Sequence, residues 1–210
     1  MLSEFLSYAF LRRALLSGLL ISISAALVGS SLVLKRYAMI GDGLSHVGFA
    51  ALAIAMIFSW SPLVVALPIV ILAAFLLLRI SENNPLRGDA AVAMISSAAM
   101  AISILLISVT KGMNTDVFSF MFGSILSLSD SDMILSLVLS VTVVLFYLIS
   151  YNKIFAVTFD EAFADASGIS SNFWNSVLAV LAAVTIVLGM RMMGALLISS
   201  LIIFPPITAM

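Results

Sequence analysis

Long apolar stretches, separated by thin clusters of charge, set the organisation of this chain. Uncharged runs span residues 14–34, 43–78, 90–110, 133–152, 166–190 and 192–210, with a shorter one at 117–129. A helix needs about 20 apolar residues to cross a hydrocarbon core. Runs 14–34, 90–110 and 133–152 are each one crossing long. Run 43–78 holds two, divided at Trp60-Ser61-Pro62, where an aromatic suited to the membrane interface precedes a proline suited to a helix start. Run 166–190 begins as a loop and crosses from about Trp174. Run 192–210 carries Pro205-Pro206, at which a crossing breaks or ends. The pattern predicts seven helices, over 14–34, 44–59, 62–80, 90–109, 133–151, 173–191 and 194–206. Segment 117–128 is too short to span and is expected to be re-entrant or interfacial. The runs lack the alternation of a membrane barrel, so strands are not expected.

Composition agrees. Of 210 residues, 63% are hydrophobic and only 9% are charged, where a soluble domain is about a quarter charged. The expected architecture is an all-α, polytopic transmembrane bundle, a single domain over 1–210. A net charge of −1 offers no basic face for nucleic acid. No cysteine is present, which removes disulfides, thiolate metal sites and a thiol nucleophile. The N-terminus lacks a clear signal-cleavage site, with Arg12 and Arg13 lying behind Glu4. Lys35, Arg36, Arg79, Arg87 and Lys153 fall on one side of the expected topology, and Arg12, Arg13, Lys111 and Arg191 on the other. That balance leaves the orientation open.

Two stripes of small residues, Gly18/Ser22/Ala26/Ser30 and Ala93/Ser97/Ala101, predict close helix packing. The sharpest local feature is Gly41-Asp42-Gly43-Leu44-Ser45-His46, which contains the only histidine. With a helix starting near Asp42, the carboxylate and imidazole lie one turn apart on one face. Two readings follow: Asp42 caps the helix while His46 packs in the bundle, or the two mark a pathway for an ion. One such pair is too small a donor set for a divalent metal. Two copies related by a two-fold axis would supply two imidazoles and two carboxylates, a set suited to zinc, manganese or ferrous iron. The 12 methionines are flexible packing residues rather than a copper route. Residues 159–169 read either as a solvated loop or as a short amphipathic helix that docks a partner, with Phe159, Phe163 and Ala166 on one side and Gly168 as its stop. No phosphate-binding GxxxxGK[ST] loop, serine–histidine–aspartate set or HExxH helix is present, so no catalytic or cofactor-binding residue is assigned.

Taken together, these segments resemble the ABC-3 family, the membrane permeases of ATP-binding-cassette importers for zinc, manganese or iron. The resemblance runs in order from Arg12-Arg13-Ala14-Leu15-Leu16-Ser17-Gly18 through Val33–His46, whose GDGLSH matches the family's GDAxSH. It continues at Phe122-Gly123-Ser124-Ile125-Leu126, at Asp160–Ile169, and at Met193-Gly194-Ala195-Leu196-Leu197 followed by Phe204-Pro205. Gly43 departs from the family's usual alanine. The chain also ends at Met210, where family members continue through at least one further helix, so the family's C-terminal helix or helices are expected to be absent.

The resemblance implies a homodimer in the cytoplasmic (inner) membrane that carries a divalent metal ion by alternating access. An ATPase subunit would hydrolyse ATP in trans, and an extracytoplasmic metal-binding protein would deliver the ion. The permease itself would be no enzyme and would hold no permanent cofactor. Asp42 and His46 correspond to the metal-coordinating positions, and Asp160, Glu161, Ala162, Phe163 and Gly168 to the loop that couples to the ATPase. The alternatives are a siderophore- or vitamin-type ABC permease and a gradient-driven metal transporter.

Overall fold

Every one of the seven predicted helices is present. In chain order the elements are α1 (Ala9–Leu34), α2 (Ala38–Ile57), α3 (Pro62–Asn83), α4 (Pro85–Val109), α5 (Asp130–Ile149), α6 (Tyr151–Phe159), α7 (Glu161–Ala166), α8 (Ser171–Met193) and α9 (Ala195–Ala209). The computed structural model describes residues 8–83, 85–109, 121–123 and 130–209, and among them there is no strand. Of segment 117–128, only Met121 to Gly123 lie within the described residues. Helices α1 to α4 and α8 are each long and apolar enough to cross a membrane; α5 and α6, bent by 69° at their junction, make a sixth span if taken as one.

Several boundaries differ from the sequence expectation, with α1 and α4 each beginning five residues early. Helix α2 begins at Ala38, well before Asp42, so Asp42 is an interior residue and not the cap. The cause lies one turn upstream, where Arg36 adopts φ 62° and the Tyr37 N–H donates to the Leu32 carbonyl at 2.8 Å. That left-handed turn closes α1 and launches α2 at once, and it is hard to foresee because glycine usually occupies such a position. Ser59, with φ 54°, closes α2 in the same way, with the Trp60 N–H reaching the Ala55 carbonyl at 2.9 Å. Of the two readings of residues 159–169 the short helix holds, as α7, while α6 before it is a helix that the sequence did not indicate. Lastly, α9 runs through Pro205 and Pro206 to Ala209. The two prolines withhold N–H donors from the Leu201 and Ile202 carbonyls, and the Thr208 hydroxyl lies within hydrogen-bond reach of the Phe204 and Pro205 carbonyls, at 2.9 and 3.0 Å.

Helices α2 and α8 form the centre. Each is 72% buried across its apolar span. Helix α8 packs against α1, α2, α3, α5 and α9, and α2 packs against α3, α4, α8 and α9. The buried face of α1 is Ser17, Ile21, Ser24, Ala25, Val28, Ser31 and Leu32, one position round from the Gly18/Ser22/Ala26/Ser30 stripe, which is only partly buried. Ala93, Ser97 and Ala101 of α4 are exposed, and that helix packs through Val92, Ala99 and Ser103 instead. Ser31 and Tyr147 join α1 to α5 through a buried hydroxyl–hydroxyl bond of 2.7 Å.

Two close approaches of backbone fix α9. The Gly29 Cα of α1 faces the Ile202 carbonyl, and a Cβ there would stand only 3.0 Å from the carbonyl carbon. Pro206 has no N–H to give that carbonyl, which leaves it open on the side that Gly29 faces. At the far end of α8, Gly123 and Gly194 cross with φ of 80° and 89°. A Cβ on Gly123 would lie 2.7 Å from the Gly194 nitrogen, and one on Gly194 would lie 2.6 Å from the Gly123 nitrogen. The sequence motifs around Phe122 and Gly194 thus meet in space.

Gly194→Ala is therefore expected to destabilise the protein by more than about 3 kcal/mol, from backbone strain plus a steric clash. Gly168→Ala, with the same sign of φ but open space around it, should cost about 1–2 kcal/mol. Melting temperatures in detergent check this. Equal shifts for the two variants would refute the crossing as a packing constraint.

Candidate metal site and the α7 clamp

Asp42 and His46 stand one turn apart on α2, and Asp42 Oδ2 lies 3.6 Å from His46 Nε2. Their side chains are 42% and 23% exposed, so the pair opens to the outer surface of the described bundle rather than facing its core. Glycines on the other side of the helix hold it in place. Gly43 lets Val92 of α4 approach to where a Cβ would be 2.8 Å away, and Gly41 faces Ile202 of α9. Packing of this closeness keeps two helix-weakening glycines inside a helix.

Helix α9 adds hydroxyls that the sequence did not single out. Buried Ser199 donates to Ser45 Oγ or to its own Ala195 carbonyl, each at 3.0 Å, and it lies beside the Asp42 carboxylate. Ser45 in turn donates to the Gly41 carbonyl at 3.0 Å. A serine in an apolar helix commonly bonds back to the carbonyl four residues earlier, so sequence gave no reason to mark Ser199. Among the described residues, no group of three or more His, Asp or Glu side chains is gathered in a way that could hold a metal. One chain offers an imidazole and a carboxylate, with hydroxyls behind them.

The second candidate site lies where α1 ends and α8 begins. Asp160 caps α7 by accepting from the Phe163 N–H at 2.9 Å. Glu161 turns inward and pairs with Lys35, the residue that ends α1. Lys35 Nζ also donates to Asn175 Oδ1 of α8 at 2.6 Å, and the Asn175 amide returns a bond to Glu161 Oε1 at 3.1 Å. Burial alone would raise the Glu161 carboxyl, but the hydrogen bonds from Lys35 and Asn175 outweigh it and hold it below the ordinary range. At the other end of α7, Asp165 accepts from the Ser171 N–H at 2.7 Å and from its hydroxyl at 2.8 Å. These two bonds lower its carboxyl as well and start α8. Gly168, at φ 83°, completes the turn as expected, with the Ile169 N–H on the Ala164 carbonyl at 2.9 Å.

With Ala164 as its only buried residue, α7 presents Ala162, Phe163 and Ala166 outward. Phe163 is 64% exposed, and Phe159 at the end of α6 is 61% exposed. The apolar side predicted for 159–169 is thus real, but it faces away from the bundle. Helix α6 is braced by Lys153, whose ammonium sits 5.3 Å from the Trp174 ring centre. The sequence missed Lys35 and Asn175 as partners of Glu161. A lone amide just inside an apolar run was the available signal.

Residues 7–210 match the ABC 3 transport family. The chain is 30% identical over 213 residues to the manganese import system permease protein ScaB of Streptococcus gordonii, covering all of this chain and 76% of that protein. It is 28% identical over 206 residues to the manganese transport system membrane protein MntC of Halalkalibacterium halodurans, covering 98% of this chain and 70% of that one. A probable metal transport system membrane protein of Treponema pallidum is 32% identical over 209 residues, covering 98% and 77%. The structure of PsaBC from Streptococcus pneumoniae in complex with Fab superimposes with a TM-score of 0.82 at 30% identity, over 97% of this chain and 74% of that one. With sequence agreement along almost the whole length and a shared helical fold, this protein belongs to the ABC 3 transport family and is a multi-pass membrane permease.

Proposed function

We propose that the chain is the permease subunit of an ABC importer that moves a divalent transition metal ion into the cytoplasm, with manganese the leading cargo and zinc and iron the alternatives. The observation that carries this reading is the Asp42–His46 pair, 3.6 Å apart on a central helix and open on one side. A carboxylate and an imidazole within a membrane segment are costly unless they serve a path. Their mixed N/O character suits manganese, zinc or ferrous iron. The manganese permeases among the relatives favour the first.

A single chain supplies two such donors, and a second copy would complete a four-donor site across a two-fold axis. The metal ion is cargo: it would arrive from an extracytoplasmic metal-binding protein, pause between the two Asp42–His46 pairs, and leave inward when the helices rearrange. The energy would come from ATP hydrolysed by a separate subunit docked at α7. In this reading Ala162 and Phe163, with neighbouring Phe159, form the contact surface. Asp160, Glu161 and Gly168 shape and hold the helix that presents it.

His46→Ala should reduce uptake of manganese(II) by more than the roughly 10- to 100-fold that loss of a supporting residue costs a metal site. Membrane insertion and co-purification with the ATPase subunit should be unchanged. Wild-type uptake at matched expression would sink the ligand assignment. Phe163→Asp should lower co-purification of the ATPase subunit about tenfold, as for loss of an aromatic anchor, with insertion intact; undiminished recovery would remove α7 as the docking element.

A further inference from the structure

Lys35 is a charge held almost out of solvent. Its side chain is 4% exposed, against 49% for its partner Glu161. Only the lysine end of the pair is out of water, so the pair fixes geometry chiefly because removing the half-exposed Glu161 carboxylate would strand the Lys35 ammonium. We propose that Lys35 is a positioning residue of the transport cycle, joining α7 to the metal-site helix so that a displacement of α7 reaches Asp42. The inference rests on the reading of α7 as the element that docks the ATPase subunit.

The path is short and stiff. Lys35 closes α1, and the turn after it is held by the Arg36 N–H on the Val33 carbonyl at 3.0 Å and the Tyr37 N–H on the Leu32 carbonyl at 2.8 Å. Helix α2 starts at Ala38, and Asp42 follows in its second turn. On the other side, Glu161 is the first residue of α7, and its Oε1 receives both the Lys35 ammonium and the Asn175 amide. Asp165 pins the far end of α7 to Ser171. Helix α7 is therefore tied to α8 at both ends and to the α1–α2 turn at one. An apolar seat would let so short a helix slide. Three polar groups with two hydrogen bonds and an ion pair among them hold it in one register. Glu161 is half-exposed but engaged through Oε1, whereas exposed Phe163 faces away from the bundle.

The test uses the permease reconstituted with its ATPase subunit in proteoliposomes, with manganese(II) as the probe. Uptake per ATP hydrolysed should fall about tenfold in Lys35→Met and in Glu161→Gln, within the range by which residues on a coupling route act. Co-purification of the ATPase subunit should fall far less than in Phe163→Asp, and less than the ratio of uptake to ATP hydrolysed. The reversed pair, Lys35→Glu with Glu161→Lys, should recover uptake per ATP to within about twofold of wild type, because the Asn175 amide can turn to serve either polarity. Each single reversal should remain impaired. The inference is overturned if both neutral variants keep the wild-type ratio, if lost uptake tracks lost ATPase binding, or if the double reversal is no better than the singles. If the wild-type protein itself recruits no ATPase subunit, the docking reading of α7 fails and takes the inference with it; the variants are decisive only against an active wild type.

Discussion

Inside a bilayer an apolar side chain gains little by leaving lipid for protein, so helices associate where their backbones can come close. The rest of this fold depends on that constraint. Gly29 meets the Ile202 carbonyl, Gly48 meets the end of Met190, Gly189 meets Ile198, and Gly123 meets Gly194. These contacts draw α1, α2, α8 and α9 into one body and set where each polar side chain falls. The face of α1 that packs carries Ser17, Ser24 and Ser31, small enough to keep α5 close while Ser31 satisfies the Tyr147 hydroxyl.

The same closeness organises both candidate sites. The seat of α9 against Gly29 and Gly41 brings Ser199 beside Ser45 and Asp42. The clamp on α7 follows a different rule: there a buried ammonium must find acceptors, and Glu161 and Asn175 provide them. Packing positions the Asp42–His46 pair, and charge satisfaction positions α7. The turn between Lys35 and Ala38 connects them.

Legibility followed the range of the interaction. Each of the seven predicted helices is present, since run length against bilayer thickness is a local criterion. Asp42 and His46 were found because two ionisable groups in an apolar run stand out. The start of α2 was misplaced because Arg36 takes a backbone conformation that its side chain does not advertise. The stripe on α1 was off by one position because small residues occupy several faces of that helix, and only its neighbours select one. The outward turn of Phe163 was open to either reading, as an apolar side in a six-residue helix can face the bundle or leave it.

What the sequence by itself determined is the class of molecule and its chemistry: a helical membrane bundle with one carboxylate–imidazole pair and a short charged segment between its last long helices. Those follow from composition and from spacings within a single helix turn. Only the tertiary structure decided that Ser199 backs Asp42, that Glu161 belongs to Lys35 and Asn175, and that Gly123 crosses Gly194. Each joins residues far apart in the chain, and each depends on how closely two backbones approach, a distance that no local pattern of residues encodes.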